Sequence, residues 1–444
     1  MDSRTFRPLL AFAGLCLLAS SAYAGGNTTT NGPDVTVFDI PEIANHGSDG
    51  ELRGFSVGTD SCNVGNTAVN WCDESFGCGS LTEEQHPVIA GNLYRVKDGK
   101  LEQLGKSWLK HGFLSLNTPN PECGSNSNPD NPPSCSGAPL GGDQLGVGCT
   151  DLYGSFLNGS RALGMRYEVN PATGFFPFPE TIRPFSGQVE QRISVHEDDL
   201  EPTLNAGARY FFESQYIADD DAVAETDGLS NAYNNASYRE ATVNGSLNMN
   251  FITNTVRERS AIYAWQAVDP EVQIANVDFV GNDGVLERFE VARKITQNGL
   301  TYRTVLAVRN MNSDHSARSL SIRLPGASFS NGFFHDVDNH SGELASGEGN
   351  SPLKTDDWTQ TIASDTIRWA TSDFATDPAA NALRWGTAFT FAVDTDIYPG
   401  DARITIEPYK AGGPSSLSVN FVDPSVFQST FESGFTDDWS STSP

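Results

Sequence analysis

Six of the seven cysteines stand between positions 62 and 149: Cys62, Cys72, Cys78, Cys123, Cys135 and Cys149. An even set packed into one stretch reads as a disulfide framework, with 15 connectivities open to six sulfurs. Closing short loops costs the chain least entropy. That argument favours Cys72–Cys78 and Cys123–Cys135, which leaves Cys62–Cys149 to close the long loop. The spacings do not match the paired Cys-x-x-Cys pattern of zinc knuckles, so thiolate ligation is the weaker alternative.

An oxidised framework needs an oxidising compartment, and the N-terminus agrees. Arg4 and Arg7 precede an apolar run from Leu9 to Ala19, and Ala22-Tyr23-Ala24 offers small residues at −3 and −1. This reads as a signal peptide, residues 1–24, cleaved after Ala24 and too short to span a bilayer. The expected location is secreted, periplasmic or cell-surface. With 28 Lys+Arg against 56 Asp+Glu, the net charge of −28 would repel nucleic acid and anionic membranes. Membrane insertion is not expected.

The local pattern is one of strands and turns, and no helix of three or more turns is expected. Residues 25–54 open Gly-, Asn- and Thr-rich and read as a flexible lead-in. Residues 55–259 read as a disulfide-containing β-rich domain. Within it, Asp98-Gly99 is a hairpin signal, because both turn positions require positive φ. Residues 117–148 read as a long excursion. Strands are expected at 188–195, 203–217 and 246–253, with Glu197 to Glu201 as a polar strand end. In residues 260–412, short alternating strands at 288–295, 301–309, 320–324, 387–393 and 403–408 predict an antiparallel β-sandwich, with Asn298-Gly299 as a second hairpin turn. Residues 413–444 form an acidic C-terminal tail. The fold class is therefore mainly β.

Several phrases stand together: Ser61–Gly65, Ser107–Phe113, Gly148–Tyr153, Phe334–Glu343 and Asn381–Thr387. As a set they resemble an uncharacterised family of exported bacterial proteins, over most of residues 55–410. The resemblance carries no reaction and so transfers no catalytic role. Cys72 and Cys78 look like an addition to that pattern, which favours their bonding to each other. The terminal Phe431 to Ser440 stretch is similar to tails of other exported bacterial proteins and implies an appended processing or surface element.

One run offers metal chemistry. On a strand, Asp336, Asp338 and His340 would share a face, with His335 on the other. Two carboxylates and an imidazole could hold a transition ion, Zn or Cu, with His111 as the fourth ligand beside Gly112. The competing reading is a solvated turn whose carboxylates cap backbone N–H groups. Asp219, Asp220 and Asp221 with Glu225 and Asp227 could hold Ca²⁺, but they lack the regular spacing of a calcium loop and read more simply as a solvated acidic loop. Phe175 to Phe178 could stack on sugars or pack in a core. Nucleophile elbows and nucleotide fingerprints are absent. The reading favoured by these features is a non-catalytic binding or cell-surface component whose partner is an extracellular polymer or surface protein. A metal-dependent extracytoplasmic enzyme is the alternative.

Overall fold

The structure is a computed structural model that describes residues 30–71, 86–120, 122–123, 135, 142–160, 163–177, 186–340, 342–344 and 352–421. The expected leader, the Cys72–Cys78 pair and the tail from 422 onward lie outside the described residues. The chain is mainly β, in several antiparallel sheets. Among the described residues the longest helix is Ile262–Val268, two turns.

Four layers account for the architecture. The outermost holds two small sheets. One orders Val35–Asp39, Thr59–Asn63, Cys149–Tyr153 and Thr118–Pro119; the other orders Ile193–His196, Leu52–Val57 and Ile43–Asp49. Behind them lies a sheet of Met249–Phe251, Ala236–Val243, Arg209–Ile217, Val88–Lys97 and Lys100–Lys106, with Lys110–His111 also pairing to Val88–Lys97. The third layer orders Gln273–Val280, Leu286–Asn298, Thr301–Asn310, Ala388–Thr395 and Phe329–His335. The fourth orders Thr359–Ala363, Thr366–Ala370, Ala317–Arg323, Arg403–Pro408 and Leu417–Val419. The last two layers form the expected sandwich around Phe289, Val291, Leu306, Phe391, Leu320, Trp369 and Ile406.

Side chains alternate across a strand, so a strand in an inner layer feeds two cores at once. Ile89 and Leu93 face the outer sheets with Tyr210, Phe212 and Tyr216. Tyr94, Val96 and Phe211 face the third layer instead. Third-layer strands divide likewise: Phe389 and Phe391 point into the sandwich, while Ala388 and Ala392 point back toward the second layer with Ala292 and Ala307. These alanines let the two inner sheets approach closely.

Through that contact runs a buried polar chain. Arg309 Nη2 donates to Glu213 Oε1 at 3.0 Å and to Gln215 Oε1 at 2.8 Å, and Nη1 donates to Glu290 Oε2 at 3.1 Å. Both Arg309 and Glu213 have side chains with 0% exposure. Burial works against the guanidinium charge, but the Glu213 and Glu290 carboxylates outweigh it and hold its pKa above the ordinary value. Asn92 Nδ2 donates to Glu213 Oε1 at 2.8 Å, and its Oδ1 accepts from Arg166 Nη1 at 3.1 Å. Arg166 in turn donates to the Ser107 and Gly386 carbonyls at 2.6 and 3.1 Å.

Both hairpins form. Asp98 and Gly99 have φ of +51° and +70°. In the second, Asn298 pairs with Thr301, so the two-residue turn is Gly299-Leu300, one position later than expected, with the positive φ on Gly299. The expected lead-in carries the strands Val35–Asp39 and Ile43–Asp49, the first of them buried at Val35 and Val37. The strand expected at 188–195 is reduced to Ile193–His196, since residues 187–190 turn. Glu197–Leu200 is a short helix rather than a strand end.

The disulfides are Cys62–Cys123 and Cys135–Cys149, with Cα atoms 5.7 and 5.3 Å apart. This corrects the expected Cys62–Cys149 and Cys123–Cys135 bonds. In the sheet register Thr150 stands opposite Cys62, so Cys149 points to the other face. Cys62 packs with Cys123, Phe38 and Val64, whereas Cys149 packs with Cys135 in the large outer core. Pleat direction, not loop length, selects the partners.

Replacing Arg309 by Met would leave Glu213 and Glu290 buried without a cation. The expected loss is about 3–5 kcal/mol in chemical denaturation.

Candidate functional site

The strand Phe329–His335 ends at the first residue of the singled-out run, and residues 336–340 continue as irregular chain. The strand parity expected for Asp336, Asp338 and His340 is therefore not realised. Instead this segment leaves the third layer and crosses the end of Lys100–Lys106, forming one wall of a cleft of about 540 Å³. The opposite wall comes from the outer layer: Leu52, Ser194 and His196, with Ser186, Val189 and Glu190 from the preceding turn.

The floor is charged. Lys106 Nζ donates to Glu343 Oε2 at 2.7 Å, Asn339 Oδ1 at 2.8 Å and the Tyr167 hydroxyl at 3.2 Å. The Lys106 and Glu343 side chains have 1% and 0% exposure. Burial pushes the Glu343 carboxyl up, but Lys106 and His340 overcome it and hold it below the usual carboxylate range. His340 Nε2 donates to the Lys106 carbonyl at 2.6 Å. Burial, its largest influence, lowers the His340 pKa against the pull of Glu343.

The rim is different. Asp338 Oδ2 lies 3.6 Å from His196 Nε2, with side-chain exposures of 69% and 51%. These groups are wet and free to meet a ligand.

The remaining singled-out residues disperse. His335 Nε2 donates to the Gln103 carbonyl at 3.1 Å. Asp336 accepts from the Asn381 amide, and burial raises its pKa to about 6. His111 pairs with a different ring: its Nδ1 lies 2.7 Å from His86 Nε2, between Phe113 and Phe176. Burial pushes the His111 pKa well down. Gly164, rather than Gly112, makes the room, since a Cβ there would stand 2.2 Å from His111 Nε2. His111 is thus not brought to the His335–His340 run. Among the described residues, no group of three or more His, Cys, Asp or Glu side chains is placed to hold a metal ion.

Sequence reasoning passed over Lys106, His196 and Glu343. A signal existed for the first: the chain has only seven lysines, and Lys106 lies in a strand otherwise buried. Phe176 packs in a core with Leu109 and Trp385, while Phe175 is 56% exposed; Phe178 lies outside the described residues.

The acidic stretch also departs from a solvated loop. Asp219–Ala222 is a short helical turn in which Asp220 accepts from the Asn70 and Asp221 amides at 2.9 and 3.0 Å. Glu225 and Asp227 belong to a small hairpin beyond it, whereas Asp221 is 0% exposed. Further acids lie on the Cys149–Tyr153 and Thr59–Asn63 strands, Asp151 buried and Asp60 half-buried. Burial raises Asp151 to about 7 and Asp60 to about 6, and Asp60 and Asp39 respectively add repulsion.

No family model and no curated protein sequence matches this chain, so the reading of the cleft rests on its own geometry.

Two outcomes are expected. Lys106→Met strands the Glu343 carboxylate and lowers stability by about 3–5 kcal/mol in denaturant titrations, whereas Asp338→Ala on the wet rim changes it by under about 0.5 kcal/mol. For Asp151 the folded-state pKa lies above the unfolded one. Its contribution is therefore complete below the unfolded value of 3.8 and lost as pH climbs to about 7. Relative to Asp151→Asn, the wild type should lose about 1.4 kcal/mol per pH unit across that window, read from melts at stepped pH.

Proposed function

We propose that this chain is an exported binding protein, and that the cleft between its outer layer and the His335–His340 run receives a polar, hydroxyl-bearing segment of an extracellular polymer. The observation that carries this reading is the division of labour within the cleft. The charged floor groups, Lys106, Glu343 and His340, bond to one another through Glu343 Oε2 and the Lys106 carbonyl, and of their buried atoms only Glu343 Oε1 is left without a partner among the described residues. What faces a ligand is a set of hydrogen-bonding groups, the exposed Asp338 and His196 with the half-buried Glu190 and Ser194, beside the apolar flanks of Leu52, Leu104 and Val189. Polar groups that fix orientation beside apolar flanks suit a sugar ring, which carries hydroxyls at its edge and C–H groups on its faces. Two disulfides fit an oxidising compartment, in agreement with a signal peptide ending at Ala24. No helix among the described residues is long and apolar enough to cross a membrane.

The transition-metal reading would need ligands beyond those the described residues assemble, and no observation favours it over recognition.

The test uses the mature chain and a panel of bacterial and plant oligosaccharides, read by saturation-transfer NMR and then calorimetry. At least one oligosaccharide should bind, and the double variant Asp338→Ala/His196→Ala should weaken it at least 10-fold without moving the melting temperature. Silence across the panel, or binding unchanged in the double variant, would sink the proposal.

A further inference from the structure

The first strand begins beside a group of oxygens that the cleft does not use. Asp34, immediately before Val35–Asp39, is 2% exposed, and Asp221 is 0% exposed. Burial, and after it repulsion by Asp34, raises the Asp221 pKa well above the ordinary carboxyl value. Among the described residues neither has a Lys, Arg or His ion pair. Asp221 Oδ1 accepts from the Val35 amide at 3.1 Å, and its Oδ2 accepts from the Asn235 side-chain amide.

Asn235 supplies an observation of a different kind. It is 0% exposed, and its Nδ2 also donates to the Tyr216 carbonyl at 3.3 Å. The amide nitrogen is thus fixed on Asp221 and Tyr216, while Asn235 Oδ1 is buried with no hydrogen-bond partner. Asp34 Oδ1 and Asn234 Oδ1 are likewise without partners. Asp34 accepts side-chain hydrogen bonds from Asn234 and Thr30, yet its Oδ1 and the two asparagine oxygens stay unpartnered around a pair of mutually repelling buried carboxyls, an arrangement that native interiors avoid unless something positive is bound.

We propose that Asp34, Asp221 and the side-chain oxygens of Asn234 and Asn235 form a Ca²⁺ site. All of the donors are hard oxygens, with neither imidazole nor thiolate among them, which selects against Zn²⁺ and Cu²⁺. Irregular placement on three chain segments suits Ca²⁺, whose coordination is flexible, better than Mg²⁺, which demands a near-ideal octahedron. Glu225 and Asp227, the acids nearest in sequence, are not part of it. The bound ion would fasten the start of the first strand to the turn at Asp219–Ala222 and to the end of the turn Asn231–Asn234 with Asn235. Those segments are already joined by Asn231 Nδ2 donating to the Pro33 carbonyl at 2.8 Å.

The test uses the mature protein stripped with EGTA, with CaCl₂ as the only added ligand. Calorimetry should report one Ca²⁺ per chain with Kd of about 0.1–1 mM, as for extracellular modules, and Mg²⁺ should bind at least 10-fold more weakly. At 10 mM Ca²⁺ the melting temperature should rise by about 2–5 °C. Asp34→Asn and Asp221→Asn should each abolish that rise while melting no lower than wild type in EGTA, because each removes a buried like charge. The double variant Glu225→Gln/Asp227→Asn should keep it. Hydrogen exchange of the wild type locates the site without any variant: Ca²⁺ should slow exchange at Val35 and across 218–235. No Ca²⁺ binding in the wild type would mean that the carboxyls share a proton instead, and would overturn the proposal. So would a rise retained in both aspartate variants, a rise lost in the glutamate–aspartate control, or protection confined to other segments.

Discussion

The ion pair of Arg309 with Glu213 and Glu290 is the constraint around which the molecule is arranged. A guanidinium with no exposure is tolerable only when its carboxylates are aligned and further hydrogen bonds support the group: Gln215 accepts from Arg309, Asn92 donates to Glu213 and Ser260 donates to Glu290. That requirement fixes the relative position of two sheets contributed by distant parts of the chain. Apolar contacts alone would hold the alanine-lined layers together over many similar offsets, because flat, small side chains slide. A buried charge triad permits one.

Close approach then propagates outward. Gln103 spans the same contact, its Oε1 accepting from the Ala388 amide at 2.7 Å and its Nε2 donating to the Gly386 carbonyl at 3.3 Å. The Lys100–Lys106 strand is thereby held against the third layer, and its end becomes the cleft floor. The position of His340 over the Lys106 carbonyl follows from the register of two sheets meeting some distance away.

Much of this was legible in the residues. Asp98-Gly99 announced a hairpin through its need for positive φ, and the strands from 288 to 408 were visible through alternation and turn residues. What alternation concealed was the second buried face. Asn92, Glu213 and Arg309 are polar residues within strands, and nothing local in the sequence marks them as buried. The disulfide partners failed for a related reason: loop entropy ranks closures by length, whereas Cys62 and Cys149 sit one register step apart and face opposite ways. For the site, only Asp338 to His340 of the singled-out run line a cleft, and its chemistry depends on Lys106 and His196, which tertiary structure alone supplies.

The buried first strand has a consequence for biogenesis. Val35–Asp39 leaves the synthesis machinery before almost everything it touches. The Val37 carbonyl accepts from the Ser237 hydroxyl, 200 residues further along, and the Phe38 carbonyl from Arg257, 219 residues along. A polypeptide emerging N-terminus first must therefore carry this segment unpaired on that side until more than half of its length has appeared. Delivery in an unfolded state, threaded rather than preassembled, is the route such long-range closure is suited to.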